Sequence, residues 1–305
     1  MKQLRNQRTI PFFKFNLADP MKFGIMFANT GHFAQPEHAE ALALAAEEAG
    51  IESLWTVEHV VVPKHYDSVY PYSRKGKLSG DFHADVPDPV VWMSYIAAVT
   101  KTIRLSTGIL ILPQRHPLYV AKEFATLDTF SGGRAMLGVG IGWLEEEFDA
   151  LGIPFKQRVA RTEESMQALR SLWRDDVATF DGQQFSWKDV GSYPKPVQPN
   201  GVPIIVGGHV PAAARRAAKF GDGFFPGRID RLDELLLALR TECERIDRNP
   251  GEIEITTGTP DMSLDNIKLM EDKGISRLVM PPPGGDKDDI RRGIENFAEN
   301  VMAQL

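Results

Sequence analysis

Cysteine is almost absent from this chain: Cys243 is the single one among 305 residues. A lone cysteine cannot close an intrachain disulfide, and it cannot supply a thiolate cluster for a metal ion. The sequence therefore excludes a disulfide-framed fold, and we predict the reducing environment of the cytoplasm.

Basic residues and long apolar runs are also scarce. Lys and Arg total 35 against 41 Asp and Glu, and the formal net charge of −6 argues against a nucleic-acid partner. The apolar part of residues 1–20 is short and is interrupted by Pro11 and Lys14, so we predict neither a signal peptide nor a membrane span. We interpret residues 1–20 as an N-terminal arm and residues 21–305 as one domain.

What the chain does have is a regular alternation of short apolar runs and helical patterns. The strand-like runs are residues 22–27, 53–57, 104–112, 135–140, 203–207, 223–226, 254–258 and 277–281. Continuously apolar strands between amphipathic helices indicate a parallel sheet whose outer side is covered. Eight such units predict an α/β fold of the (β/α)8 TIM-barrel type. A doubly wound open sheet is the alternative.

Two long insertions interrupt this alternation. Residues 60–88, after strand two, are polar and aromatic, and residues 177–202, after strand four, have the pattern of a hairpin followed by a proline-rich return. Insertions of this length in a compact domain are commonly lids or binding loops. We therefore expect both segments to determine substrate specificity, and their aromatic residues suggest a semi-apolar small molecule.

A histidine follows the second strand, at the end where barrel enzymes place their chemistry. The stretch SLWTVEH puts Glu58 and His59 there. Six of the seven histidines fall in strand-to-helix connections, namely His32, His59, His65, His83, His116 and His209. A solvated loop histidine is the alternative for each of them. Their clustering on one rim favours His59, the one nearest to a strand end, as a catalytic residue.

Other common types of site lack their residues. The first strand is followed by a single histidine in FANTGHF, and the eighth strand ends in prolines and glycines, so no metal-ligand set assembles. The sequence contains no G-x-S-x-G, which argues against a Ser-His-Asp hydrolase.

Glycine-rich turns follow strands four and five. GVGIGW, residues 138–143, is not the dinucleotide fingerprint, and glycine packing explains it equally well. In VGGHVPAAARRAA, Gly207 and Gly208 let the backbone approach a ligand, and the next amides open a helix whose positive end suits a phosphate. An ordinary strand-to-helix turn is the alternative.

Four segments carry a family pattern: SLWTVEH, TGILILPQRHPLYVAKEFATLDTFSGGRAMLGVGIGW, EEF and PIIVGGHVPAAARRAAKFGDGFFP. Together they resemble the bacterial luciferase-like monooxygenase superfamily, and within it the branch of coenzyme F420-dependent oxidoreductases. The resemblance extends from about Met21 to the C-terminus. It implies a TIM barrel with a non-prolyl cis peptide between Gly108 and Ile109, behind the isoalloxazine or deazaflavin ring.

The resemblance also implies roles for individual residues. The predicted cofactor-binding residues are Gly108, Ile109, Arg115, Gly140, Gly142, Gly207, Gly208 and His209. His59 would take or give the proton that accompanies hydride transfer. Glu58 either orients His59 or only caps the loop. Arg115 and His116 either touch the cofactor or have a structural role.

The segment after strand four departs from the family pattern. Trp143 stands where some F420-dependent sugar-phosphate dehydrogenases have a carboxylate. We therefore expect Trp143 to form an aromatic wall of the catalytic site and do not expect sugar-phosphate oxidation. Glu145, Glu146 and Glu147 follow at a helix start, and we interpret them as partners of the helix dipole rather than as catalytic acids.

The resemblance favours F420 as the cofactor, with FMN as the alternative. A deazaflavin exchanges hydride with a substrate, whereas an FMN-dependent member would use reduced flavin and O2. Arg74, Lys75 and Lys77 in the first insertion could bind the acidic glutamyl tail of F420. A cofactor-binding barrel without turnover is a third reading. The resemblance also implies a homodimer formed through the outer helices near strands two and three.

Overall fold

The predicted strand runs form a closed ring in the computed structural model, which describes residues 20–78 and 82–305. The strands are β1 (Lys22–Met26), β2 (Ser53–Thr56), β3 (Arg104–Thr107), β4 (Leu110–Ile111), β5 (Ala135–Gly140), β6 (Ala178–Asp181), β7 (Ser186–Val190), β8 (Ile204–Gly208), β9 (Gly223–Pro226), β10 (Glu254–Gly258) and β11 (Arg277–Met280). The predicted N-terminal arm lies outside the described residues, apart from Pro20.

Parallel pairing closes the ring and confirms the TIM-barrel prediction. The strand order is β3, β2, β1, β11, β10, β9, β8, β5, and β5 pairs back with β3. Each of these pairings is parallel. Strands β6 and β7 stand apart as an antiparallel pair.

The third barrel strand is not the continuous run that the sequence predicts over residues 104–112. It is divided into β3 and β4, and the peptide bond between Gly108 and Ile109 is cis, as the family resemblance implies. β4 pairs with β5 beyond the break, and the chain then enters a short 3-10 helix over Leu112–Gln114. The strand therefore reaches the mouth of the barrel as an interrupted segment.

Helices surround the ring on its outer side. They are α1 (Pro36–Glu48), α2 (Pro89–Val99), α3 (Pro117–Ser131), α4 (Glu145–Ala150), α5 (Arg158–Arg174), α6 (Pro211–Phe220), α7 (Leu232–Arg245), α8 (Leu264–Asp272) and α9 (Lys287–Asn300). Four of them begin with proline, whose fixed φ suits the first helical position. Their apolar stripes face the strands, as Val120 and Phe124 of α3 do with no exposed surface. None of the described helices is long and apolar enough to cross a membrane.

The second insertion lies elsewhere than the sequence suggests. Its predicted hairpin is present as β6 and β7, but it follows α5 and precedes β8, so it belongs to a helix-to-strand connection. Such connections start at the end of a barrel that lies opposite the active site. The hairpin packs along α5, where Glu164 accepts hydrogen bonds from the amides of Gln183 (3.0 Å) and Gln184 (2.8 Å).

Charged side chains close the N-terminal end of the barrel. Arg277, with no exposed side-chain surface, donates to Glu52 (Nε–Oε2 2.7 Å) and to Glu254 (Nη1–Oε2 2.8 Å). Burial alone would raise the pKa of Glu254, but the charges of Arg277 and Lys22 reverse this and lower it to about 2. Above this floor an apolar cluster fills the interior: Trp55, Met136, Ile205, Phe225 and Val279. The cavity described below accordingly lies at the C-terminal end of the strands.

Candidate active site

One cavity of about 1480 Å³ opens at the C-terminal end of the barrel. Ten of the eleven predicted site residues line it: Glu58, His59, Gly108, Ile109, Gly140, Gly142, Trp143, Gly207, Gly208 and His209. The first insertion contributes much of the remaining wall, whereas residues 177–202 contribute none of it. The expectation that both insertions determine specificity is therefore wrong for the second one. Single-ligand pockets usually measure about 300–1,000 Å³, so this cavity has room for a cofactor together with a substrate.

Two glycines hold the side chain of Ile109 at the bottom of the cavity. A Cβ atom at Gly140 would lie 2.6 Å from Cδ1 of Ile109, and one at Gly207 would lie 2.7 Å from its Cγ2. Both distances are shorter than carbon atoms tolerate. Glycine is thus required at these two positions by the packing of Ile109, which supports the packing explanation given for Gly140 and adds a packing reason at Gly207.

His59 is held by a carboxylate from the far side of the cavity. Its Nδ1 lies 3.0 Å from Oε2 of Glu147, which is in the first turn of α4 and has no exposed side-chain surface. The other oxygen of Glu147 accepts from the amides of Val60 (2.6 Å) and Val61 (3.3 Å). Glu147 lies in the first turn of α4, as predicted from the sequence, and its carboxylate is in addition directed at His59 and the loop.

Glu58 does not contact His59 in the way that an orienting residue would. Its Oε2 accepts from the amide of Ile111 at 2.5 Å, and its Oε1 accepts from Nε (2.8 Å) and Nη2 (2.6 Å) of Arg115. Burial raises the pKa of Glu58, and the opposing charge of Arg115 and the Ile111 amide counteract this. Since both oxygens only accept hydrogen bonds, we assign Glu58 the ionised form and a role in holding strand three.

Arg115 is the predicted site residue that lies outside the cavity lining. Its guanidinium also pairs with Asp88 (2.6 Å) and Glu123 (3.5 Å). The hydrogen bonds to Glu58 and Asp88 occupy Nε and Nη2 of Arg115. The structural alternative for Arg115 therefore fits its surroundings better than cofactor contact. His116, beside it, accepts from the amide of Leu118 at the start of α3 and is also outside the lining.

An aromatic wall stands next to His59. The ring of Trp143 meets the ring of His59 edge-on, with centroids 5.9 Å apart. The ring centroids of Tyr70 and Tyr66 lie 5.1 Å and 5.8 Å from that of Trp143. The two tyrosines belong to the first insertion, which thus reaches over the mouth of the barrel. Lys77 also lines the cavity, with its ammonium 4.0 Å from the ring centre of Tyr66. Arg74 and Lys75 do not line it.

The start of α6 forms the opposite, electropositive side of the cavity. Helix α6 has no side-chain cap and no acidic residue in its first turn, and Ala212 and Ala213 of that turn line the cavity. His209 precedes it, with Nδ1 3.2 Å from the hydroxyl of Tyr72. Burial and the nearby charges of Arg228 and Arg231 lower the pKa of His209. The amide of Ala213 already donates to the carbonyl of Val210 at 2.9 Å, so the dipole of α6 and the charges of Arg228 and Arg231 are the features that suit an anion such as a phosphate.

Sequence comparison identifies the family to which this arrangement belongs. A family model described as luciferase-like monooxygenase matches residues 21–273. The chain belongs to the luciferase-like monooxygenase family. The match includes every strand of the ring except β11, and it confirms the superfamily resemblance predicted from the sequence.

Relatives of this luciferase-like protein include F420-dependent enzymes. The F420-dependent glucose-6-phosphate dehydrogenase of Kineococcus radiotolerans is 34% identical over 245 residues, which are 78% of this chain and 66% of that protein. Two solved structures share the fold. The monooxygenase RslO1 from Streptomyces bottropensis has a TM-score of 0.73 and 23% identity, with coverage of 93% of this chain and 99% of the other. An F420-dependent secondary alcohol dehydrogenase, in complex with an F420-acetone adduct, has a TM-score of 0.71, 20% identity and the same coverages.

Glu147 is the partner of His59 that sequence reasoning missed. A usable signal was nevertheless present in GWLEEEF. Leu144 and Phe148 are apolar and one helical turn apart, and both are buried. Glu147 lies three positions after Leu144, and Glu145 lies three positions before Phe148, so both glutamates flank the apolar face. The apolar pair therefore excludes Glu146 and leaves Glu145 and Glu147 as the candidates for an inward-facing acid.

Proposed function

We propose that this luciferase-like protein is an F420-dependent oxidoreductase that transfers hydride between the deazaflavin and a small, semi-apolar organic substrate. The observation that carries the proposal is a single cavity of about 1480 Å³ that joins His59 to the electropositive start of α6. It offers a proton-handling side chain at one end and an anion site at the other. The F420-dependent relatives agree with this assignment.

The residues of the cavity fit F420. The uncapped start of α6, with His209 before it, would hold the cofactor phosphate. The Gly108–Ile109 segment would support the ring system, and Lys77 would attract the acidic glutamyl tail. When bound, F420 would supply the site that accepts or releases the hydride.

His59 would hold or move the proton that accompanies the hydride. With Nδ1 engaged by Glu147, its other ring nitrogen, Nε2, is the one left for a substrate oxygen or carbon. Trp143, Tyr66 and Tyr70 would exclude water from this side and favour an apolar substrate surface. A carboxylate is not available at position 143, so we propose a substrate class other than the glucose 6-phosphate of the Kineococcus relative.

A reduced-FMN monooxygenase is the second candidate, favoured by the description of the family and by the fold shared with the Streptomyces monooxygenase. Titration of the purified protein with F420 and, separately, with FMN distinguishes the two through intrinsic tryptophan fluorescence. We expect micromolar binding of F420 and much weaker binding of FMN. Micromolar FMN binding without a response to F420 would contradict the F420-dependent function and favour the reduced-FMN monooxygenase.

Turnover is tested on the same preparation. We expect a panel of alcohols, aldehydes, ketones and conjugated carbonyl compounds to contain at least one substrate that changes the absorbance of F420. Tight F420 binding without a reaction across the panel would support the non-catalytic barrel instead. We also propose a homodimer formed through α2 and α3, whose outer faces carry exposed apolar side chains.

A further inference from the structure

Glu147 makes two sets of contacts that meet at the residue pair His59–Val60. One oxygen lies 3.0 Å from Nδ1 of His59, and the other accepts from the amide of Val60 at 2.6 Å and from that of Val61 at 3.3 Å. The carboxylate has no exposed surface, whereas the side chain of His59 retains 14% exposure on the cavity side. The buried carboxylate of Glu147 thus contacts both the ring of His59 and the backbone of the two residues that follow His59.

These contacts determine which ring nitrogen carries the proton. An ionised carboxylate can only accept hydrogen bonds, and the oxygen beside His59 therefore requires a proton on Nδ1. A neutral imidazole has one proton to share between its nitrogens, so Nε2 must hold the free lone pair. Without Glu147 both tautomers are available, and only one of them offers Nε2 as a proton acceptor.

We propose that Glu147 is a positioning residue that fixes His59 in the Nδ1–H tautomer and holds Nε2 ready to accept a proton. Through the amides of Val60 and Val61, the same carboxylate ties this state of His59 to the start of the first insertion. The effect on catalysis rests on the proposed function, in which His59 handles the proton. The tautomer itself does not depend on that function.

The neighbouring Glu146 provides a matched control. Its Oε1 accepts from the amides of Asp67 (2.6 Å) and Ser68 (3.1 Å) in the same insertion, and His59 is not among its partners. If Glu147 only anchored the loop, removing the charge from either glutamate would have similar consequences. If it positions His59, only Glu147→Gln should change the imidazole.

The first experiment records long-range 1H–15N correlations of the histidine rings in cofactor-free protein, at a pH where histidine is neutral. The signals of His59 are assigned by their loss in His59→Ala. We expect the Nδ1–H tautomer in wild type and in Glu146→Gln, and a mixture of tautomers in Glu147→Gln. An Nε2–H tautomer in wild type would overturn the proposal even if the variants failed to fold. So would a pure Nδ1–H signal in Glu147→Gln, or an equal change in Glu146→Gln.

The second experiment measures turnover with the substrate found in the panel. We expect Glu147→Gln to lower kcat by about 10–100-fold, with little change in KM. Losses of this size are usual when the hydrogen-bond partner of a metal-bound histidine is removed. In the His59→Ala background the same substitution should have no further effect on kcat, because Glu147 acts through His59. Additive losses of kcat would overturn the positioning role. Absence of any turnover would count against the proposed function, and the tautomer measurement would still decide this inference.

Discussion

At the scale of residues, two neighbours in the sequence serve opposite sides of the barrel mouth. Glu58 holds the segment after the cis peptide through Ile111 and Arg115, whereas His59 faces the cavity and Glu147. Successive residues of an extended chain direct their side chains to opposite sides, which explains this division. Glu58 therefore forms a structural ion pair with Arg115, and the neighbouring His59 presents its ring to the cavity.

The substitution His59→Ala tests that division. We expect kcat to fall by about 10²–10⁴-fold, the usual contribution of a positioned acid or base. F420 affinity and the melting temperature should change little, because the anion site lies at α6 and His59 is not part of the apolar core. Steady-state kinetics, F420 titration and a thermal melt measure the three quantities.

His65→Ala is the control for this prediction, because His65 lines the same cavity but is not a partner of Glu147. It should leave kcat close to that of wild type. A His59→Ala variant that melts early yet turns over normally per folded molecule would remove His59 from the mechanism.

At the scale of elements, α6 begins beside the cavity without a side-chain cap. Side chains cap α2, α3, α8 and α9, as Asp88 caps α2 through the amides of Val90 and Val91. Helix α6 has neither a cap nor an acid in its first turn, and α7 places Asp233 and Glu234 there. The positive end of the α6 dipole therefore has no counter-charge from its own first turn and can act on a ligand.

Ala212→Asp should weaken F420 binding by about tenfold, because it places a negative charge in the first turn of α6 beside the expected phosphate. The same charge favours the helix itself, so the melting temperature should not fall. The asparagine in Ala212→Asn has nearly the same size as the aspartate in Ala212→Asp but carries no charge. This variant should bind F420 as wild type does. Fluorescence titration of the three proteins measures the difference. Equal losses in both variants would indicate a steric effect, and unchanged affinity in Ala212→Asp would place the phosphate elsewhere.

At the scale of the whole molecule, the two ends of the barrel have different chemistry. The ion pairs of Arg277 with Glu52 and Glu254 close one end, and the apolar cluster around Trp55 fills the interior above them. The other end carries the cavity and the first insertion. Because the cavity lies at the mouth, association through the outer helices α2 and α3 would leave it open.

The outer face of α2 and α3 is where we expect the homodimer to form. Its exposed apolar side chains include Val91 (70% exposed), Tyr119 (72%) and Phe130 (83%). Burying such residues in a partner is favourable by about 25 cal/mol per Å² of apolar surface. Sedimentation should therefore show a species of twice the 34.0 kDa chain mass, and the double variant Val91→Glu/Phe130→Glu should shift it to the monomer.

The matched double variant Leu237→Glu/Leu269→Glu introduces the same charges on α7 and α8, where both leucines are about half exposed. It should remain dimeric. A wild-type protein that sediments only as a monomer, or a control that dissociates equally, would contradict an interface at α2 and α3.

The sequence by itself determined the features that depend on local order along the chain. Apolar runs and helical stripes predict the strands and helices within a few residues, and their alternation favours a closed parallel ring over an open sheet. The position of His59 after β2 also follows, because every barrel strand ends at the mouth. The cis peptide at Gly108 and Ile109 came from the family pattern rather than from local physics.

Only the tertiary structure decided which side chains meet. Glu147 lies 88 residues after His59, and its place at a helix start is equally compatible with a solvated acid. Residues 177–202 have the composition of a binding loop, yet their connection to α5 carries them along the outer side of the barrel. Local patterns specify elements and their faces. The partner of a side chain depends on ring closure, which brings distant strand ends within hydrogen-bond distance.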